Sequence, residues 1–169
     1  NTRTPFSIDF GVGDVIVPKQ EKRKIPTQLS DFDAPMVNTY SLETTIAEKI
    51  DAILSLMEFS SRMKDYYDIY YLANKFDFDG ATLTKALQKT FENRGHSFTV
   101  EQFKQVLTFG NDDTMQKKWK TFCKKIDTKT DDYNTVLRTI KAFLTEPFTA
   151  AVKGNEYTKQ WSTANGDWM

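Results

Sequence analysis

Residues 41–58, SLETTIAEKIDAILSLME, are the stretch that decides the fold. Its apolar side chains recur every three or four positions, at Leu42, Ile46, Ile50, Ile53 and Met57. This spacing is typical of an amphipathic helix with one buried face. Ser41 stands where an N-cap is expected. The sequence therefore predicts a helix that needs partners on one side.

Five further helices are predicted after this one, over residues 61–75, 80–94, 100–109, 114–126 and 131–144. Asp79 and Thr99 are N-cap candidates, Thr99 as part of a capping box. Gly95, Gly110 and Pro147 are the expected stops for three of the helices. The larger part of the chain is thus expected to be a helical bundle.

The residues before Ser41 have a different pattern, in which apolar and polar side chains alternate from Phe6 to Val12. A period of two predicts a half-buried strand, ended by Pro18. We expect a charged loop over residues 19–24 and short edge strands over 25–29 and 34–40. The fold class is therefore α+β, a short β segment followed by helices.

We divide the chain into residues 1–75, a helical unit over 76–150, and a tail over 151–169. The tail is weakly patterned. Trp161 and Trp168 either dock it on the body of the protein or leave it to fray.

Composition excludes several classes of protein. Lys and Arg number 23, as do Asp and Glu, so the formal charge is zero and a bulk-charge grip on duplex DNA is not expected. The lone Cys123 excludes an internal disulfide, and the lone His96 excludes a histidine-based zinc site. No apolar run reaches the length of a membrane span and no signal peptide is recognisable, so we expect a cytoplasmic protein.

Charged residues near the predicted core are the candidate site residues. Lys49 falls at the rim of the apolar face, while Glu48 and Asp51 are expected to point away from it. There, Lys49 either extends its ammonium to solvent or meets a phosphate.

The second candidate is RMKDYYD, residues 62–68, in which Arg62 and Asp65, and Lys64 and Asp68, lie one helical turn apart. These pairs form either a solvated face or the edge of an active site. A third candidate, Asp9, is either an exposed strand residue or a ligand for Mg²⁺.

The combination IDFGVGD, YSLETTIAEKIDAI and RMKDYYDIYYLA resembles the AbiEii/AbiGii-type nucleotidyltransferases, the toxins of abortive-infection and toxin–antitoxin systems. That family carries K-x-x-A on one helix and R-x-K-D-x-x-D on the next. Residues 49–52 match the first motif and residues 62–68 match the second. The resemblance covers about residues 5–75.

The resemblance implies a polymerase-β-like fold in which residues 1–75 are the C-terminal half of the catalytic core. It further implies that Lys49 contacts the triphosphate of an NTP and that Asp65 is an essential carboxylate. Arg62, Lys64 and Asp68 complete the network, and Asp9 belongs to the carboxylates that hold Mg²⁺. The implied reaction moves an NMP to an acceptor such as the 3′ end of a tRNA, and the implied protein partner is an antitoxin.

The family's Gly-Gly/Ser and Arg-x-Ser-x-Asp-x-Asp motifs do not occur before IDFGVGD. We therefore expect a fragment that cannot catalyse transfer alone. The alternative is a non-catalytic helical module that binds a protein or an RNA. Lysines in 114–126 then either grip RNA or form a solvated face, namely Lys117, Lys118, Lys120, Lys124 and Lys125.

Overall fold

The computed structural model describes residues 3–8, 13–126 and 130–169. Within these residues the α-helices are α1 Leu42–Leu56, α2 Met63–Lys75, α3 Gly80–Arg94, α4 Val100–Leu107, α5 Asp113–Ile126 and α6 Tyr133–Lys153. The strands are β1 Glu21–Lys24, β2 Met36–Thr39, β3 Phe78–Asp79, β4 Gln160–Ser162 and β5 Asp167–Trp168. Short 3₁₀ turns cover Met57–Phe59 and Phe109–Asn111. The α+β class is confirmed.

The predicted caps begin the helices where the sequence places them. The Ser41 hydroxyl accepts the Thr44 N–H at 3.1 Å, and Asp79 accepts the N–H of Thr82 at 2.7 Å. Thr99 forms both halves of its capping box. These side chains satisfy backbone donors that a helix start leaves without partners, so local chemistry fixes these ends.

The core is continuous from Val17 to Trp168. Helix α1 packs against both α2 and α3, and α6 packs against α2, α3 and α4. Both faces of α1 are therefore covered, although its sequence shows one clean apolar stripe. The domain boundary after residue 75 remains a prediction.

Helix α6 continues through Pro147 to Lys153, so the prediction that Pro147 closes it is wrong. Proline lacks an N–H, which leaves the carbonyl four residues earlier, that of Phe143, without its helical donor. The indole Nε1–H of Trp168 donates to that carbonyl at 2.9 Å. A tertiary hydrogen bond thus replaces the missing one.

The tail is docked rather than frayed. Strand β4 pairs antiparallel with both β3 and β5, and Trp161 and Trp168 are buried. The Trp161 indole donates to the Ala73 carbonyl at 2.7 Å. The two tryptophans anchor this segment to α2 and α6.

The predicted strand over residues 6–12 is wrong where it can be compared, because residues 3–8 form no strand. A strand needs a neighbour for its backbone groups, and the described residues align none there. Val17 instead docks on α1, donating its N–H to the Thr44 hydroxyl at 2.8 Å. Asp9 lies outside the described residues.

The hairpin of β1 and β2 differs in part from expectation. Strand β2 lies within the predicted 34–40, but β1 occupies the predicted charged loop, and residues 25–29 form no strand. Backbone pairing in the register Arg23↔Val37 organises β1, while its charged side chains remain largely solvent-accessible. Charge alone does not prevent a strand whose two faces are solvated.

Candidate functional site

Helices α1 and α2 bring five charged side chains together, here named the α1–α2 cluster: Lys49, Arg62, Lys64, Asp65 and Asp68. The Lys49 Nζ lies 2.6 Å from Asp68 Oδ2 and 3.3 Å from Asp65 Oδ1. It therefore bridges the two carboxylates of α2 from the neighbouring helix.

The remaining two cations each hold one of these carboxylates. Arg62 Nε donates to Asp65 Oδ2 at 2.6 Å, and Lys64 Nζ lies 2.6 Å from Asp68 Oδ2. Both pairs follow the helical spacing expected from sequence. The structure thus brings every described site residue of the prediction into one network.

Asp65 is the most enclosed member of the cluster, with 3 % of its surface exposed. It lies in the first turn of α2, where the helix dipole favours a negative charge. Sequence spacing placed it at the boundary between core and solvent. It is deeper because α1 covers that side and supplies Lys49.

The α1–α2 cluster contains three cations and two carboxylates. The side chains of Arg62 and Lys64 are 60 % and 71 % exposed. The excess positive charge therefore faces solvent, while Asp65 remains inside. An arrangement of this kind attracts an anion to the opening of the cluster.

Magnesium is the metal that the resemblance implies, and the described residues do not suit it. Both carboxylates are held by ammonium or guanidinium groups, and the described chain contains no group of three or more potential metal-ligating side chains. Mg²⁺ needs several oxygen ligands free of such competition. Asp9, the predicted metal ligand, lies outside the described residues.

A second network was not predicted from sequence, and we name it the α1–α3 cluster: Glu48, Asp51, Arg94 and His96. Arg94 Nη1 donates to Asp51 Oδ2 at 3.0 Å, and His96 Nδ1 lies 2.8 Å from Asp51 Oδ1. Arg94 also lies 3.3 Å from Glu48. The expectation that Glu48 and Asp51 point away is wrong for Asp51, which is 1 % exposed because α3 covers it.

Gly95 positions this second cluster by ending α3 in the left-handed conformation, at φ 66°. The chain then turns back and brings His96 to α1. Ser55 Oγ contacts the same Nδ1 at 3.4 Å. A serine–histidine–aspartate relay needs the serine and the carboxylate on different ring nitrogens, so this arrangement is not one.

The two clusters differ in their balance of cations and carboxylates. Burial raises the pKa of Glu48, and the nearby Arg94 offsets only part of that effect. In the second cluster two carboxylates face Arg94, with His96 as a further neighbour. The only candidate signals in the sequence were a lone histidine after a glycine stop and two carboxylates on α1.

Behind Asp65, the inward face of α2 places Tyr66 against Tyr133 of α6, with ring centroids 5.4 Å apart. Both hydroxyls are buried and influence each other's pKa, but neither forms a hydrogen bond of normal geometry with any described residue. Burial raises the pKa of Tyr66 to about 12. This face is therefore packing rather than part of the charged site.

The architecture defines an α+β chain whose charged site lies between two consecutive helices. Residues 1–153 match the model of the family described as nucleotidyl transferase AbiEii toxin, type IV toxin–antitoxin system, and the chain belongs to this family. The match extends well beyond residue 75, where the resemblance read from the motifs ended. Searches of curated proteins and of solved structures each returned no match. In the described residues no helix has the length and apolar character needed to cross a membrane.

Proposed function

We propose that the protein is a toxin that transfers an NMP from an NTP to an RNA acceptor such as the 3′ end of a tRNA. Membership of the family supports nucleotidyltransferase chemistry, a toxin–antitoxin context, an antitoxin partner and an NTP substrate. The observation that carries the proposal is the α1–α2 cluster, where a buried aspartate lies behind an excess of exposed positive charge.

In this proposal Lys49 and Arg62 meet the triphosphate, and Asp65 orients them. Lys49 already spans Asp65 and Asp68, so its ammonium is held in place before a ligand arrives. A preorganised cation stabilises charge that develops on a leaving pyrophosphate without further reorganisation. Lys64, paired with the partly exposed Asp68, supports the outer edge.

We also propose that residues 1–169 by themselves do not catalyse transfer, and that the full-length enzyme needs Mg²⁺. Nucleotidyl transfer requires metal-holding carboxylates, and the two carboxylates of the α1–α2 cluster, Asp65 and Asp68, are engaged in ion pairs. NMP transfer by this chain alone in the presence of Mg²⁺ would contradict the claim of inactivity.

A second candidate function is a non-catalytic helical module. The observation in its favour is that Asp65 contacts cations from both helices, so the charged motif is also suited to locking α1 against α2. In that case the charges serve stability, and no nucleotide binds at the cluster.

Substitutions in the full-length protein distinguish the two functions. Asp65→Asn and Lys49→Met are assayed for transfer of a radiolabelled NMP and for thermal melting. We expect transfer to fall by about 10²–10³-fold, the range seen when one preorganised electrostatic contact to the developing charge is lost. We expect a smaller change in melting, because Asp68 still holds Lys49 and the exposed Arg62 returns to solvent.

The matched controls are Lys89→Met and Glu92→Gln. These residues form an exposed ion pair on α3, 2.6 Å apart, so the substitutions remove the same charges elsewhere. Full transfer activity is expected for both. Retained activity with a large loss of melting temperature in Asp65→Asn would instead support the structural role.

A further inference from the structure

A groove of about 390 Å³ lies between α5 and the start of α2. Its lysines are Lys117, Lys118 and Lys125, all on one face of α5. Ser61 and Met63, the neighbours of Arg62, form the opposite wall. The groove therefore adjoins the α1–α2 cluster.

No carboxylate among the described residues forms an ion pair with a lysine of the groove. Lys117 and Lys125 are exposed and form no ion pair within the described part of the chain. Asp113 is one helical turn from Lys117 yet makes no ion pair with it. On most helices such lysines are solvated, but here they line a concavity.

Helix α5 presents these lysines from a rigid base. Its Trp119 is buried, stacks on Tyr133 with ring centroids 5.4 Å apart, and donates to the Asp131 carbonyl at 3.1 Å. Phe122, which lines the groove, packs against Tyr67 of α2. The groove is thus formed by packed elements rather than by loops.

Lys118 has a separate role in the groove. Its Nζ donates to the carbonyls of Glu58 and Ser60, at 2.9 and 2.8 Å. These carbonyls flank Phe59, whose side chain is 84 % exposed. The turn also contains Met57 at φ 48°, a conformation that L-residues rarely adopt. A turn held by Lys118 therefore presents an aromatic ring to solvent, two residues before Ser61 of the groove wall, although Phe59 does not itself line the groove.

We propose that this groove binds single-stranded RNA, with Lys117 and Lys125 on backbone phosphates and Phe59 stacked on a base. This inference rests on the proposed function, since it assigns the acceptor strand a path past Arg62 to the α1–α2 cluster. Single-strand sites combine a cationic groove with exposed aromatic rings, because every base has a face that stacks. The neutral net charge of the chain does not oppose such a local site.

Binding is measured by fluorescence anisotropy with a labelled oligouridine of about 12 nucleotides, a length within the range of single-strand sites. The purified chain is titrated over a series of salt concentrations. In Lys117→Ala/Lys125→Ala we expect affinity to fall about tenfold, and the slope of log K against log salt to decrease by about 1.4, since each phosphate contact contributes about 0.7. Phe59→Ala is expected to weaken binding at least about fivefold through lost stacking.

The matched control is Lys104→Ala/Lys141→Ala, which removes two exposed lysines from α4 and α6. It is expected to bind oligouridine as the wild type does. Melting curves establish that each variant is folded, and Phe59→Ala has little to lose because its side chain is exposed.

Unchanged affinity and salt slope in Lys117→Ala/Lys125→Ala would overturn the inference, as would equal losses in the control. Equal affinity for duplex RNA, or for a polyglutamate peptide of similar charge, would also overturn it. The assay involves no catalysis. An inactive toxin that still binds oligouridine through these lysines would count against the proposed transfer, whereas the groove would stand.

Discussion

Two aspartates are buried among the residues that the structure describes, Asp65 and Asp51, and they occupy clusters on different sides of α1. Asp65 is held by Arg62, three residues away on its own helix, and by Lys49. Asp51 is held by Arg94 and His96, which are more than 40 residues away in sequence. One carboxylate belongs to a short motif, and the other ties two distant elements together.

Burial alone does not distinguish these two carboxylates, because both are almost completely enclosed. The α1–α2 cluster has more cations than carboxylates and opens to solvent through Arg62 and Lys64. In the α1–α3 cluster the guanidinium of Arg94 forms ion pairs with both Glu48 and Asp51, so its charge is neutralised within the cluster. The first suits an anionic ligand, and the second suits stability.

The largest effect is expected for Asp51→Ala. Asp51→Ala removes the buried carboxylate that accepts from Arg94 and contacts His96, whereas Arg94 keeps Glu48 and is partly exposed, so we expect the free energy of unfolding to fall by about 2–3 kcal/mol, the range for hydrogen bonds to a charged group. Urea denaturation measures it. The control Asp68→Ala removes a partly exposed carboxylate and is expected to cost about 1 kcal/mol or less. Equal losses at both positions would break the distinction between the clusters.

A smaller effect is expected for Tyr66→Phe, on the face of α2 that packs behind Asp65. Its hydroxyl is buried and unpaired, so removing it is expected to raise the free energy of unfolding by about 1 kcal/mol at neutral pH. Tyr71→Phe, at an exposed position on the same helix, is the control and is expected to be neutral. A loss of stability in Tyr66→Phe would show that the hydroxyl has a partner.

The raised pKa of Tyr66 predicts that the protein loses stability at alkaline pH. The pKa of Tyr66 rises from 10.0 to about 12 on folding, so the unfolded chain loses the phenol proton first. Below pH 10 the phenol is protonated in both states and its titration leaves stability unchanged; as pH rises toward 12 the free energy of unfolding falls, by about 3 kcal/mol over two pH units. The free energy of unfolding, measured from pH 9 to 12, is expected to fall less steeply in Tyr66→Phe than in the wild type.

The smallest effect is expected for Glu48→Gln. Burial raises the pKa of Glu48 above its ordinary value of 4.5, so ionised Glu48 opposes folding at neutral pH. The variant is expected to be slightly more stable than the wild type at pH 7, and the difference is expected to vanish as pH falls below 4.5. The exposed Glu92→Gln is the control. If the stability difference between Glu48→Gln and the wild type grew as the pH fell below 4.5, folding would lower the pKa of Glu48 rather than raise it.

Much of the helical fold was predictable because its causes are local. Ser41, Asp79 and Thr99 start helices by satisfying nearby N–H groups, and the apolar period of α1 shows one buried face. The α1–α2 cluster was also within reach, since one short turn separates the two helices. The buried depth of Asp65 was not, because it depends on how α1 packs over it.

Features that depend on distant partners were not predictable from sequence. A proline is expected to end a helix because it removes a backbone hydrogen bond. At Pro147 the helix continues, because Trp168, 21 residues further along the chain, donates to the Phe143 carbonyl instead. The alternation over residues 6–12 predicts a strand, but a strand also needs a neighbour. No motif around Asp51 indicates that it contacts Arg94.

The sequence by itself determined where helices begin, which family the motifs resemble and which residues form the charged pairs along α2, because each depends on spacing within a few turns. Tertiary structure alone decided that Lys49 bridges Asp65 and Asp68, that Asp51 is buried by α3, and that the tail docks through its tryptophans. These outcomes depend on which surfaces meet. Only the packed helices determine which charges are desolvated and which face water.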